Sequence, residues 1–90
     1  LKDVKITPRI SDEQTECYEF KDIKKDTFFA ALHIQDNDCI ISFNDEPFNS
    51  PMSAMTFYET VMKTTQDTFR MNLVIDRNGE QVIQELTILK

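Results

Sequence analysis

The stretch Phe28–Phe48, FFAALHIQDNDCIISFNDEPF, decides how this chain reads. Phe28 to Leu32 sets aromatic and aliphatic side chains at helical spacing and predicts one or two turns of helix against a core. Gln35 to Asp38 is a tight polar loop. Cys39 to Phe43 is almost continuously apolar, the pattern of a short strand buried on both faces. Asn44-Asp45 turns the chain, and Pro47-Phe48 leaves it directed toward the next element.

Upstream, Val4, Ile6, Pro8 and Ile10 alternate with Lys5, Thr7 and Arg9, the period of a half-buried strand over Val4–Ile10. Pro8 has no N–H to donate, so this strand belongs at a sheet edge. An edge strand can accept an incoming peptide, and a proline in it can equally serve to blunt the edge against aggregation; both readings stand. Ser11 to Glu16 is a polar turn. Cys17–Ile23 is a second strand, with Tyr18 and Phe20 on one face and Glu19 and Lys21 on the other, antiparallel to the first. Lys24 to Asp26 connects it to the short helix, which Asp26 or Thr27 can cap. His33 closes that helix. With no orienting partner in the sequence it reads as a helix C-terminal residue, not as a ligand or base.

Downstream, Ser50-Pro51 opens the one long helix, a good N-cap followed by a residue favoured at the first helical position. It runs to Lys63 or Thr64. Ala54, Phe57, Tyr58 and Val61 form one apolar stripe, and Met55, Tyr58 and Met62 form a second, displaced around the axis. The second stripe either broadens the core face, with Met as gap filler, or lines a groove. Thr64 to Thr68 is a loop. Phe69, Met71, Leu73 and Ile75 then alternate with Arg70, Asn72, Val74 and Asp76, the cleanest strand pattern in the chain. Asn78-Gly79, with the only glycine, marks a tight hairpin, and Gln81–Leu89 returns as the last strand. The elements make an α+β fold: a small curled antiparallel sheet or partial barrel of about five strands, capped by one short and one long helix.

Ninety residues with 40% hydrophobic content and seven Phe make one packed domain, 1–90. The chain opens at Leu1, not Met, which fits a domain excised from a longer protein. No apolar run approaches a membrane span and no signal-peptide pattern occurs, so any anchoring segment is expected outside this sequence. The net charge of −6 and the scattered basic residues argue against nucleic acid. Cys17 and Cys39 have no metal-ligand spacing, and only one His could join them. A buried thiol is the default for Cys39, and a disulfide is open to the pair if the domain is extracytoplasmic. No G-x-S-x-G, H-E-x-x-H or phosphate-loop motif occurs, so no enzymatic activity, cofactor or metal is expected.

The element order and its motifs resemble a PDZ domain of the bacterial envelope type. The match is nearest to the C-terminal PDZ domain of the inner-membrane component C of the type II secretion system. The residues that carry it are Val4-Lys5-Ile6-Thr7-Pro8, Tyr18-Glu19-Phe20, Phe28 to Leu32, Asn37 to Asp45, Ser50-Pro51-Met52-Ser53-Ala54, and Met71 through Gly79. Three glycines usual in that pattern are replaced here by His33, Asn37 and Asp45. Asn and Asp tolerate the left-handed backbone region, and His is also enriched there.

The resemblance implies a mechanism. PDZ domains bind an extended peptide as an added strand between an edge strand and the long helix. Carried over by position, the edge strand is Val4–Ile10, the helix is Pro51–Thr64, and the apolar lining is Val4, Ile6, Met55, Tyr58 and Met62. Leu1 to Asp3 falls where the carboxylate-binding loop of such domains ends. The glycine-rich loop itself is not in the sequence, and Asp3 would repel a terminal carboxylate. The implied function is a non-catalytic binding module of a type II secretion inner-membrane component, on the periplasmic side of a Gram-negative inner membrane, whose partners are secreted proteins or other machine components. The alternatives are a regulatory substrate-binding PDZ domain of a periplasmic or membrane protease, and a scaffold whose groove is closed or used for self-association.

Overall fold

A computed structural model describes residues 3–63 and 68–89. The chain order is β1 (Lys5–Ser11), β2 (Gln14–Lys21), α1 (Phe28–Ala31), β3 (Asp38–Phe43), β4 (Glu46–Pro47), α2 (Pro51–Lys63), β5 (Thr68–Arg77) and β6 (Glu80–Leu89). All strand pairs are antiparallel, in one open sheet of order β1-β2-β3-β5-β6, with β4 paired to β3 alone. This is the α+β architecture expected, with one short added strand. Glu46–Pro47 was expected only as the exit from a turn. It pairs with β3 because the Asn44-Asp45 turn, with φ of 47° and 66°, folds the chain straight back.

The β1–β2 connection is tighter than the polar run Ser11–Glu16 implies. Only Asp12 and Glu13 turn the chain, both at positive φ (51° and 67°), so the strands extend through Ser11 and Gln14. Two consecutive left-handed residues give the turn whose twist matches flanking strands. At its other end β2 stops at Lys21, short of Ile23, because Asp22 also has positive φ (53°). The expected left-handed positions are occupied as well: His33, Asn37 and Asp45 have φ of 60°, 75° and 66°. Asn78 (54°) and Gly79 (88°) close the β5–β6 hairpin, where the Gly79 N–H donates to Asp76 Oδ1 at 2.9 Å.

Both helices start as their caps dictate. Thr27 Oγ1 accepts from the Ala30 N–H, and Ser50 Oγ accepts from the Ser53 N–H at 3.1 Å. The loop at Gln35–Asp38 is less polar in effect than its sequence. Asp38 is buried, 1% exposed. Its carboxylate accepts the Gln35 N–H at 2.9 Å and both arms of the Arg77 guanidinium, at 3.0 and 2.8 Å. The Asp38 hydrogen bonds hold the Arg77 pKa above its usual value, against the opposing pull of burial. A buried carboxylate held by a two-pronged arginine fixes the end of β5 to the start of β3.

The core lies between the inner face of the sheet and the helices. Tyr18, Phe20, Ile40, Phe43, Met71, Leu73 and Ile75 face inward and meet Phe29, Leu32, Phe48 and Phe57. The rings pack edge to face, as between Phe43 and Phe57 (5.0 Å) and Phe48 and Phe57 (5.5 Å), geometry that favours the ring quadrupoles. The side chains of Phe28, Val61 and Phe69, and the connection at 64–67 that the sequence reads as a loop, lie outside the described residues.

Cys17 and Cys39 form a disulfide, with Cα atoms 5.6 Å apart. This replaces the default reading of a buried free thiol. The sulfurs meet because β2 and β3 are neighbours and both cysteines share the face opposite Tyr18 and Phe20. A linear sequence gives no sign of that adjacency.

Candidate functional site: an apolar groove between β1 and α2

Strand β1 has one free edge, and α2 runs beside it across the inner side of the sheet. Phe57 anchors the helix by filling the core. Ala54, one turn earlier, packs against the same core, and Met55 and Tyr58, displaced around the helix axis, border the space between α2 and β1. Between them is a cavity of about 610 Å³. Ile6 and Pro8 of β1 and Tyr18 of β2 form its strand side. Pro51, Ala54, Met55, Tyr58 and Glu59 form its helix side. The lining is predominantly apolar, and among the described residues it contains no Lys, Arg or His.

The expected lining residues divide. Ile6, Met55 and Tyr58 come together on this cavity. Met55 is 62% exposed, a large apolar side chain left in solvent by the fold. Tyr58 stacks on Phe29 at 6.5 Å, so its ring is held against the short helix. Val4 does not line the cavity. It is 3% exposed and packs into the core, just before β1 and beside Asp3, whose carbonyl accepts the Lys24 N–H. Met62 lies in the last turn of α2, and its side chain is outside the described residues. Sequence reasoning missed Pro8, Tyr18, Pro51, Ala54 and Glu59 as lining. Tyr18 could have been found from the pairing Pro8↔Tyr18, since residues opposite one another share a face.

The outer face of the same strands is closed. Arg9 donates from Nε to Glu19 at 3.1 Å and from Nη1 to Asp76 at 2.6 Å, joining β1, β2 and β5 above the buried disulfide. Lys21 adds a 3.4 Å contact to Glu19. The Arg9 hydrogen bond, more than any other cause, holds the Glu19 carboxyl below its ordinary 4.5. The bond to Glu19 likewise raises the Arg9 pKa. Among the described residues, no cluster of three or more His, Cys, Asp or Glu could hold a metal ion.

No family model and no curated protein matches this chain. The structural comparison defines the class: the fold is that of a PDZ domain. The PDZ domain of EpsC from Vibrio cholerae superposes with a TM-score of 0.62 at 21% identity, over 97% of this chain and 77% of that one. A shorter form of the same domain gives 0.60 at 21% identity, over 97% and 93%. The PDZ domain of the pullulanase C protein of the type II secretion system from Klebsiella pneumoniae, in complex with fatty acid, gives 0.59 at 20% identity, over 97% and 84%.

Proposed function

We propose that this domain is a non-catalytic binding module that holds an extended segment of a partner protein along β1, against α2. The observation that carries the reading is the apolar cavity between a free sheet edge and a helix whose Met55 has no core to enter. An added strand would take backbone hydrogen bonds from the β1 edge and set alternate side chains into the cavity. Pro8 offers a carbonyl but no N–H, so β1 supplies one donor fewer than a strand without proline.

The solved neighbours support a place for the domain in an inner-membrane component of a type II secretion system, on the periplasmic side, where it would engage secreted proteins or other machine components. The Cys17–Cys39 disulfide supports that compartment, because structural disulfides persist where the surroundings are oxidising. No helix among the described residues is long and apolar enough to cross a membrane.

An amide NMR titration tests the proposal. The ligands are short extended peptides with free and amidated C-termini, and a fatty acid, since one neighbour is in complex with one. Peptide-induced shifts confined to Lys5–Ser11 and the Met55–Glu59 side of α2 are expected, and they should survive amidation. Shifts abolished by amidation would assign terminal-carboxylate recognition instead. A response to the fatty acid alone would replace a protein partner with an acyl chain.

A further inference from the structure

Tyr18, which lines the groove, carries a hydroxyl with no partner among the described residues. Tyr18 is 6% exposed, and its ring stands edge-on to Phe48 at 5.5 Å. Among the described residues nothing hydrogen-bonds its hydroxyl. Yet among those residues no fully buried side-chain oxygen lacks a partner. The hydroxyl is therefore not fully enclosed, and the cavity is the open space that Tyr18 borders.

A hydroxyl bordering an apolar cavity discriminates among occupants. An alkyl group over it would strip its water and give nothing back. A carboxylate would meet one neutral donor and, among the described residues, no cation on the wall, which does not replace its hydration. A neutral acceptor satisfies the phenol without bringing a charge into apolar surroundings. Sites built around such a bond reject ligands that lack it more sharply than apolar pockets reject a missing methylene.

We propose that the Tyr18 hydroxyl is the specificity-determining group of the groove, selecting a partner segment that places one uncharged hydrogen-bonding side chain, an amide or a hydroxyl, among apolar ones. This rests on the groove reading above and names the chemistry of its ligand.

The test compares the wild-type domain with Tyr18→Phe, using hexanamide, sodium hexanoate and cyclopentane as probes and the methyl NMR signals of Met55 and Ile6 as readout. Hexanamide should bind wild type more tightly than hexanoate does, and Tyr18→Phe should weaken it about fivefold, the loss of one neutral hydrogen bond. Cyclopentane should bind the variant at least as well as wild type. The melting temperature should not fall, because the hydroxyl has no partner among the described residues to lose; a drop would mark a structural role and overturn the assignment. Equal hexanamide affinity in the two proteins would also overturn it, and so would tightest, Tyr18-dependent binding of hexanoate, which would give the hydroxyl to an anionic head group. If no probe moves either methyl signal while peptides do shift β1 and α2, the Tyr18 assignment alone falls. If neither probes nor peptides bind, the groove reading falls with it.

Discussion

On the inner face of β1 and β2, Ile6, Pro8 and Tyr18 stop short of α2 and leave an apolar cavity open. On the outer face of the same two strands, Arg9 reaches both Glu19 and Asp76 over a buried disulfide, and the polar groups are matched to one another. One pair of strands is therefore finished in two ways, an arrangement that period-two alternation makes possible. The difference separates tasks. The disulfide ties β2 to β3, and the Arg9 ion pairs hold the edge strand β1 to β2 and β5, so the inner face can keep unsatisfied apolar surface without loosening the sheet. A binding edge needs this, because a strand that frays cannot template another.

Four substitutions test that division, taken here by size of effect. Cys17→Ala with Cys39→Ala removes a link that closes a loop of sequence separation 22, and should cost about 3 kcal/mol in urea unfolding. A loss near zero would mean that the ion pairs alone secure the outer face.

Arg9→Ala leaves Glu19 and Asp76 without their guanidinium. Because all three groups are partly solvated, the expected cost at neutral pH is about 1 kcal/mol. The effect should depend on pH in a definite direction. The folded-state Glu19 carboxyl sits below its ordinary 4.5, so the folded protein binds that proton less readily than the unfolded chain. Its contribution is complete above pH 4.5 and is lost as pH falls through the lowered value. Unfolding curves of wild type and Arg9→Ala should therefore converge under acid; curves that stay parallel would break the assignment.

His33→Gly should act in the opposite sense and on neither face. His33 holds φ of 60°, and its side chain is exposed with no bond among the described residues. Glycine there should raise stability by about 1 kcal/mol, with groove binding unchanged. Smallest of all, Met55→Lys should leave stability within about 0.5 kcal/mol, yet abolish the peptide-induced shifts by placing an ammonium on the apolar wall. Met55→Lys that unfolds the domain would show that the inner face carries stability after all.

Much of this was legible in the residues. The stretch Phe28–Phe48 announced a short helix, a turn and a buried central strand, and β3 lies in the middle of the sheet between β2 and β5. Ser50-Pro51 marked the start of α2, and Asn78-Gly79 marked the last hairpin. Signals of this kind are local, set by backbone preferences over a few residues. Three features were not legible, and all involve residues far apart in sequence. Val4 continues the alternation of β1, yet it turns into the core. Asp38 looks like loop polarity and is instead a buried carboxylate gripped by Arg77. Tyr18 looks like a core aromatic until the cavity beside it is seen.

The sequence by itself determined the order and kind of the elements, because helix caps, alternation and turn chemistry act between near neighbours, and its resemblance to the PDZ pattern marked the left-handed positions at His33, Asn37 and Asp45. Only the tertiary structure decided that Cys17 meets Cys39, that Arg9 spans to Asp76, and that Met55 faces β1 across open space. Those outcomes depend on which strands become neighbours and on how far α2 stands from the edge, distances set when the whole core packs around Phe20, Phe48 and Phe57.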